Sequence, residues 1–291
     1  MSESLCLKSR LVSSVIAGLM GAAAALWPVP GRSQASAAVP DFFVSSESGW
    51  LPVGDDFLPP PSGPGPVTFD KRHPYIDNPT ARRTGTQPTY RIADLDNPIL
   101  QPWAAAQMRK ANEEVLAGKV PFRARESCYP AGVPAFLIYN LVFPNRFLQT
   151  ARQVTIINPG GPELRRVYLN VPHSAQVTPS WYGESVGHYE GNDTMVVDTI
   201  GLTTKTFVDN YRTPHTDRLH VVERFKLSGA DKMEVLITVD DPGAFTTPWT
   251  GIQRFRRVQA GPMEEAICAE NNVNPFDFAV VPIPQADKPD F

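Results

Sequence analysis

Two alternating stretches joined by a polar turn, LHVVERFKLSGADKMEVLITVDD at residues 219–241, are the clearest structural signal in the chain. Most odd-numbered residues from 219 to 227 and from 233 to 239 are apolar, whereas the even-numbered positions are mixed. Side chains that alternate with a period of two are typical of β-strands with one buried face. The stretch therefore predicts an antiparallel hairpin around the SGAD turn, with the odd-numbered residues facing inwards.

Similar short alternating segments occur on both sides of this hairpin. They are ARQVTIINP (151–159), RRVYLNVP (165–172), SVGHYE (185–190), TMVVDTIGL (194–202) and IQRFRRVQ (252–259). Turn residues separate them, and no helical period lies between them. We therefore expect a mainly β fold, an antiparallel β-barrel, because closure removes exposed strand edges. A sandwich of two sheets is the alternative.

The N-terminal region has the composition of an export signal. Lys8 and Arg10 precede an apolar run at 11–27, and small residues follow around Ala37. This order is typical of a cleaved signal peptide, so residues 1–37 predict a periplasmic or secreted protein with no stable membrane anchor after processing. A retained anchor is the alternative, because signal cores and short membrane spans overlap in length.

The mature chain divides into three further parts. Residues 38–98 contain segments such as LPPPSGPGP (58–66) and predict an extended, Pro-rich arm without a core of its own. Residues 99–127 form a helical segment, with a peripheral helix expected from Pro102 to about residue 117, since Pro favours a first turn and Gly118 a stop. Residues 128–291 form the barrel domain.

Charge and cysteine content narrow the classes of partner. A net charge of −3 provides no basic patch for nucleic acid or anionic lipid, so neither partner is expected. After signal removal only Cys128 and Cys268 remain. In an oxidising compartment this pair predicts a disulfide, and two free buried thiols are the alternative.

The strand pattern also predicts ionisable groups inside the barrel. Glu223 shares the inner face with Val221 and Phe225, where a carboxylate must be paired, hydrogen-bonded or raised in pKa. His188 aligns with Val186 and is expected to face inwards as well, whereas Asp198 cannot be assigned to a face. The alternative is a purely structural Glu223 that meets no ligand.

The loop before residue 219 is expected to lie at the barrel mouth. An imidazole there, His215, is suited to acid–base chemistry near neutral pH, although it could instead cap the loop. The spacing of His215 and His220 fits no metal motif, even with His173, His188 or Glu223 as a third ligand, and no phosphate-binding or dinucleotide motif is present. We therefore expect neither metal nor cofactor.

One segment matches a catalytic motif. The letters GESVG at 183–187 fit the G-x-S-x-G pattern of serine hydrolases. That mechanism requires a strand, a sharp turn and a helix around the serine, whereas the chain after Ser185 continues as a strand. We interpret the match as accidental.

Several segments occur in an order that is familiar. They are CYPAGVP (128–134), WYGESVGHYEGNDTMVVDTIGL (181–202), PHTDRLHVVERF (214–225), DDPGAFTTPWT (240–250) and ICAENN (267–272). From residue 128 onwards the chain thus resembles a group of exported bacterial proteins of unknown function, a likeness that implies no residue roles. The hairpin pattern is also similar to lipocalin-like, calycin-type barrels. That likeness implies a hydrophobic small-molecule pocket, used for binding in some relatives and for cofactor-free hydration, dehydration or isomerisation in others.

Together these observations predict an exported, cofactor-independent enzyme of the lyase, dehydratase or isomerase type that moves a proton on a small hydrophobic molecule in a barrel cavity. The expected catalytic residues are His215, Glu223, His188 and Asp198. The expected substrate-binding residues are Trp181, Tyr182, Arg224 and Phe225. A periplasmic carrier with the same cavity is the alternative, and a third hypothesis is an assembly protein whose N-terminal arm forms a homo-oligomer.

Overall fold

The computed structural model describes residues 39–86, 89–119, 121–122, 127–139, 143–160 and 163–267. The predicted signal peptide and Cys268 lie outside these ranges, so their predicted roles stay predictions. Among the described residues, no helix is both long and apolar enough to cross a membrane.

Within the described residues, nine β-strands form one sheet. Their bounds are Ser48–Pro52 (β1), Arg146–Gln149 (β2), Gln153–Asn158 (β3), Glu163–Leu169 (β4), Glu184–Glu190 (β5), Thr194–Ile200 (β6), His220–Leu227 (β7), Lys232–Asp240 (β8) and Trp249–Gln259 (β9). The spatial order is β1-β9-β8-β7-β6-β5-β4-β3-β2. The mainly β fold is confirmed.

The central hairpin is confirmed in register and in orientation. Strands β7 and β8 pair antiparallel from His220 opposite Asp240 to Leu227 opposite Met233. The predicted inner residues Val221, Glu223 and Phe225 are each fully buried. Period-two patterning therefore identified the core face correctly.

One strand pair differs from the predicted antiparallel arrangement. Strands β4 and β5 run parallel, with Val167 opposite Ser185 and Leu169 opposite Gly187. A parallel pair cannot be joined by a tight hairpin, so residues 170–183 form a crossover between the two strands. Gly187 suits this crowded position, because a Cβ there would lie 2.6 Å from the Val196 carbonyl oxygen and 2.9 Å from Val167 Cγ1.

The sheet nearly closes through a segment that the sequence pattern assigned to the arm. Strand β1 pairs antiparallel with β9. On its other side, Trp50 exchanges two backbone hydrogen bonds with Asn145, which precedes β2, at 2.8 and 2.9 Å. Residues 48–52, within the predicted arm, are therefore a strand of the sheet.

Within the described residues, two α-helices lie outside the sheet. Helix α1 spans Asn78–Thr84. Its N-cap is Asp77, whose side chain accepts a hydrogen bond from the Thr80 amide at 2.8 Å. Helix α2 spans Pro102–Leu116, as the sequence predicted, and buries Ala104 and Met108. The described chain thus consists of a nearly closed barrel with peripheral helices.

Candidate functional site

The carboxylate of Glu223 points into the barrel, where it meets an arginine instead of an imidazole. Arg165 on β4 binds it with both terminal nitrogens, Nη1 donating to Oε1 at 3.0 Å and Nη2 to Oε2. The same guanidinium donates to Ser185 Oγ at 3.1 Å and to Thr199 Oγ1 at 2.8 Å. Because every one of these side chains is buried, the cluster is a fully paired internal ion pair.

Both carboxylate oxygens of Glu223 accept hydrogen bonds from Arg165. The catalytic role of Glu223 therefore stays a prediction. Ser185 lies on strand β5 with 1% exposure, so it lacks the exposed turn that a hydrolase nucleophile needs. The accidental interpretation of GESVG is consistent with this position.

His215 is buried in the loop between β6 and β7, with both ring nitrogens occupied. Nδ1 donates to the Thr216 carbonyl at 2.9 Å, and Nε2 lies 2.9 Å from Thr206 Oγ1. Burial lowers the pKa of His215, which favours the neutral ring. This geometry matches the loop-capping alternative, and a catalytic role for His215 stays a prediction.

One residue, His188, faces away from the interior, contrary to expectation. It lies on the outer face of β5, half exposed, with Nε2 at 3.3 Å from Glu190 Oε1. The reason is the alternation along β5, in which Gly187 takes the inward position beside it. Arg224 lies on the outer face of β7, as its even position predicted, and also binds Glu190.

The outer face of β5, β6 and β7 carries a groove of about 260 Å³. Its apolar floor consists of one valine from each of the three strands, Val186, Val196 and Val222. The crossover supplies Asn170 and Val171 at its side. We call this feature the valine groove.

Two of the predicted catalytic residues, His188 and Asp198, line the valine groove. Val186 pairs with Asp198 and His188 pairs with Val196, so the two ionisable side chains lie in adjacent rows of the sheet. Adjacent rows on one face are about 7 Å apart, twice the rise per residue of a strand. The groove thus places a carboxylate and an imidazole on either side of an apolar floor.

The Asp198 carboxylate binds two further imidazoles. Its Oδ1 lies 2.9 Å from Nε2 of His173 in the crossover and 2.9 Å from Nε2 of His220 on β7. The other nitrogen of His173, Nδ1, lies 3.0 Å from Glu184 Oε1. His173 is therefore held between two carboxylates, with its side chain 22% exposed.

The His173 ring lies between two carboxylates. The Ser174 hydroxyl, followed by the Ser174 amide and then His173, lowers the pKa of Glu184, so this carboxylate is an acceptor for Nδ1. Nε2 of the same ring is directed at Asp198 Oδ1. The two carboxylates together therefore fix the position and orientation of the ring.

The predicted aromatic wall lies elsewhere. Trp181 stacks on Tyr129, with ring centroids 5.2 Å apart, and Tyr182 packs edge-on against Phe136 at 6.4 Å. Phe225 is buried in the core against Phe147. None of the three predicted aromatic residues is among the residues that line the valine groove.

Sequence reasoning overlooked His173 and Arg165 as central residues. Arg165 left a signal, because it shares a strand face with the apolar Val167 and Leu169 in the alternating β4 pattern. His173 left none beyond its residue type, since its contacts with Glu184 and Asp198 depend on the path of the crossover. In the described part of the chain, no group of three histidine, cysteine or acidic side chains is arranged to hold a metal ion.

Comparisons with known proteins provide no relative for this chain. No family model, no curated protein and no solved structure matches it. The resemblance to exported bacterial proteins and the likeness to lipocalins therefore stay predictions.

Proposed function

We propose that the protein is a cofactor-independent enzyme of the lyase or isomerase type, and that its reaction takes place in the valine groove. The observation that carries the proposal is the position of Asp198, which lies within hydrogen-bond distance of His173 and faces His188 along an apolar floor. Such reactions need one group that removes a proton and another that returns one, each with a suitable protonation state.

In the proposed mechanism Asp198 is the general base. Its Oδ1 accepts from His173 and His220, while no described residue hydrogen-bonds to Oδ2, which is free to approach a substrate C–H or O–H. The carboxylate holds the proton that it takes up at Oδ2, while His173, which Glu184 orients, and His220 keep Oδ1 in place. His188, half exposed at the adjacent row, supplies a proton to the substrate's leaving or accepting atom.

The proposed substrate is a small, neutral and largely apolar molecule. The groove volume of about 260 Å³ lies just below the roughly 300–1,000 Å³ of sites for drug-sized ligands. Valine side chains favour a hydrocarbon body. Three carboxylates lie beside the groove and would repel an anionic substrate: Glu184, Glu190 and Asp198. The expected polar group of the substrate is therefore a hydroxyl or a carbonyl.

Isotope exchange tests the proposal directly. The protein is incubated in D₂O with a panel of small neutral alcohols and ketones, and deuterium incorporation and product formation are measured by mass spectrometry. We expect exchange or conversion by the wild type, and a loss of about 100-fold or more in Asp198→Asn, which retains the shape but not the base. His188→Gln should reduce product formation.

Glu234→Gln is the matched control, because Glu234 is an outer-face carboxylate on β8 that pairs with Arg254. It should retain full activity. Equal rates in wild type and Asp198→Asn would refute the assignment. Binding of a panel compound that is unchanged in Asp198→Asn, without exchange in either protein, would instead support the carrier alternative.

We further propose that the enzyme is exported, on the basis of the signal-like N-terminus and the two cysteines of the mature chain. The proposed disulfide joins Cys128 to Cys268, the latter outside the described residues. A homo-oligomer formed through the N-terminal region stays a prediction, to be measured by light scattering of the mature protein.

A further inference from the structure

A second groove, of about 610 Å³, lies near the seam where the barrel closes. It is lined by the ends of β1 and β9 and by the segment that leads into β2. Three arginines, Arg146, Arg256 and Arg257, line it, and we call it the arginine groove. Its apolar wall includes Leu51, Pro144 and Val258, which distinguishes it from a simple charged surface.

Arg146 is 7% exposed, yet its hydrogen bonds are incomplete. Nη1 donates to the Ser46 carbonyl and Nη2 to the Gly261 carbonyl at 2.9 Å. Its Nε is buried and has no hydrogen-bond partner among the described residues. Leaving a buried donor of a charged group unpaired costs free energy, so a ligand that supplies a hydrogen-bond acceptor would stabilise the site.

Arg257 likewise has a buried N–H donor without a partner among the described residues. Its guanidinium lies over the Trp50 ring at 4.5 Å, and Nη2 makes a long contact of 3.4 Å with the Asp41 carbonyl. Within the described chain its buried Nε also has no partner. Burial lowers the pKa of Arg257, because the guanidinium lacks the solvation that a charge requires.

The described residues that line the arginine groove carry three positive charges and one negative charge, and Asp41 and Asp231 interact with Arg257 from outside the lining. Glu264 is the acidic residue among the described residues that line it. Elsewhere on the barrel, arginines meet carboxylates directly, as Arg254 does with Glu234 at 3.0 Å and Arg224 with Glu190. In the described chain no carboxylate lies within ion-pair distance of the three groove arginines, so an external anion would complete the charge balance.

We propose that the arginine groove binds an amphiphilic organic anion, with its carboxylate or phosphate head at Arg146, Arg256 and Arg257 and its apolar part along Leu51, Pro144 and Val258. Arginine is the residue best suited to such heads, because its planar fork can donate two parallel hydrogen bonds to one anion. The volume of about 610 Å³ is sufficient for a ligand of drug-like size. The proposal does not depend on the reaction assigned to the valine groove.

Calorimetric titration of the full chain with three probes tests this inference. Octanoate and octyl phosphate carry the two candidate heads, and octanol carries the same apolar chain without charge. We expect one or both anions to bind in a salt-dependent manner and octanol not to bind. The stronger anion identifies the preferred head.

Substitutions then locate the site. Arg256→Gln changes an exposed side chain and should weaken anion binding about tenfold, as expected for one lost charge-assisted hydrogen bond. Arg257→Gln should weaken it at least as much, and circular dichroism verifies that it folds. Arg254→Gln, on the same strand and with the same change in charge, should bind within twofold of wild type.

Three outcomes would overturn the inference. The first is equal binding of octanol and the anions, and the second is equal weakening by Arg254→Gln and Arg256→Gln. The third is no binding of either anion by the folded wild type at millimolar concentration. Because Asp198→Asn leaves this groove intact, it should bind the anions as wild type does, which separates the two proposals experimentally.

Discussion

Removing one partner of the Arg165–Glu223 pair should destabilise the protein severely, whereas removing both should not. Glu223→Gln leaves a guanidinium in the barrel at 1% side-chain exposure without a counter-charge. Arg165→Met leaves the carboxylate equally unpaired. Breaking a buried ion pair in this way typically costs about 3–5 kcal/mol, against a total stability of about 5–15 kcal/mol for a domain.

The double variant Arg165→Met/Glu223→Leu contains no buried charge. Ser185 and Thr199 keep their mutual hydrogen bond of 2.8 Å, so they are not left without a partner. Apolar replacement of a complete buried pair is often neutral or stabilising. We therefore expect the double variant to lose no more than either single variant, which implies a coupling free energy of about 3 kcal/mol or more.

Urea unfolding at pH 7, followed by circular dichroism and tryptophan fluorescence, measures all four proteins of this cycle. The control cycle replaces Arg254 and Glu234, an outer pair with side chains 56% and 47% exposed. Exposed pairs contribute about 0–1 kcal/mol, so this coupling should be small. If the internal cycle were additive, or its coupling free energy no larger than that of the control, the two buried charges would not depend on each other as their contacts indicate.

Two further predictions concern pH and oxidation. Burial raises the pKa of Asp209 from 3.8 to about 6. The protonated carboxyl therefore favours the folded state, and this contribution is fully present below pH 3.8. The free energy of unfolding should fall by about 3 kcal/mol in total as pH rises from 3.8 through 6. Asp209→Asn should remove this part of the slope in urea unfolding between pH 4 and 7, and parallel profiles would contradict the assignment. For the Cys128–Cys268 bond, intact mass of the exported protein should rise by two hydrogens upon reduction, and two thiols before reduction would exclude it.

Most of the predicted strands were recognisable because they bury alternate residues, and this signal is local. The hairpin of β7 and β8 and the burial of Glu223 follow from it. Strand β1 escaped prediction because it has five residues, SGWLP, of which Ser48, Gly49 and Trp50 are buried in succession. Its strand character comes from pairing with β9, about two hundred residues later in the chain, which no local pattern contains.

The candidate site escaped prediction for a different physical reason. Alternation shows which residues share a face, but it does not show which neighbour covers that face. Asp198 and His188 were singled out by residue type, whereas their outward orientation depends on the register of β5 against β6. His173 reaches Asp198 only because β4 and β5 are parallel, an arrangement that the short turns of the sequence did not indicate.

The same parallel pair explains why the proposed chemistry belongs outside the barrel. Inside, Arg165 neutralises Glu223, and the hydroxyls of Ser185 and Thr199 accept two further hydrogen bonds from its guanidinium. Outside, a parallel connection must carry the chain from one end of the sheet to the other, and residues 170–183 bring Val171 and His173 against β5 and β6. That crossover converts an ordinary outer sheet face into a groove with an apolar floor, a carboxylate held by imidazoles and access to solvent, which the paired interior lacks.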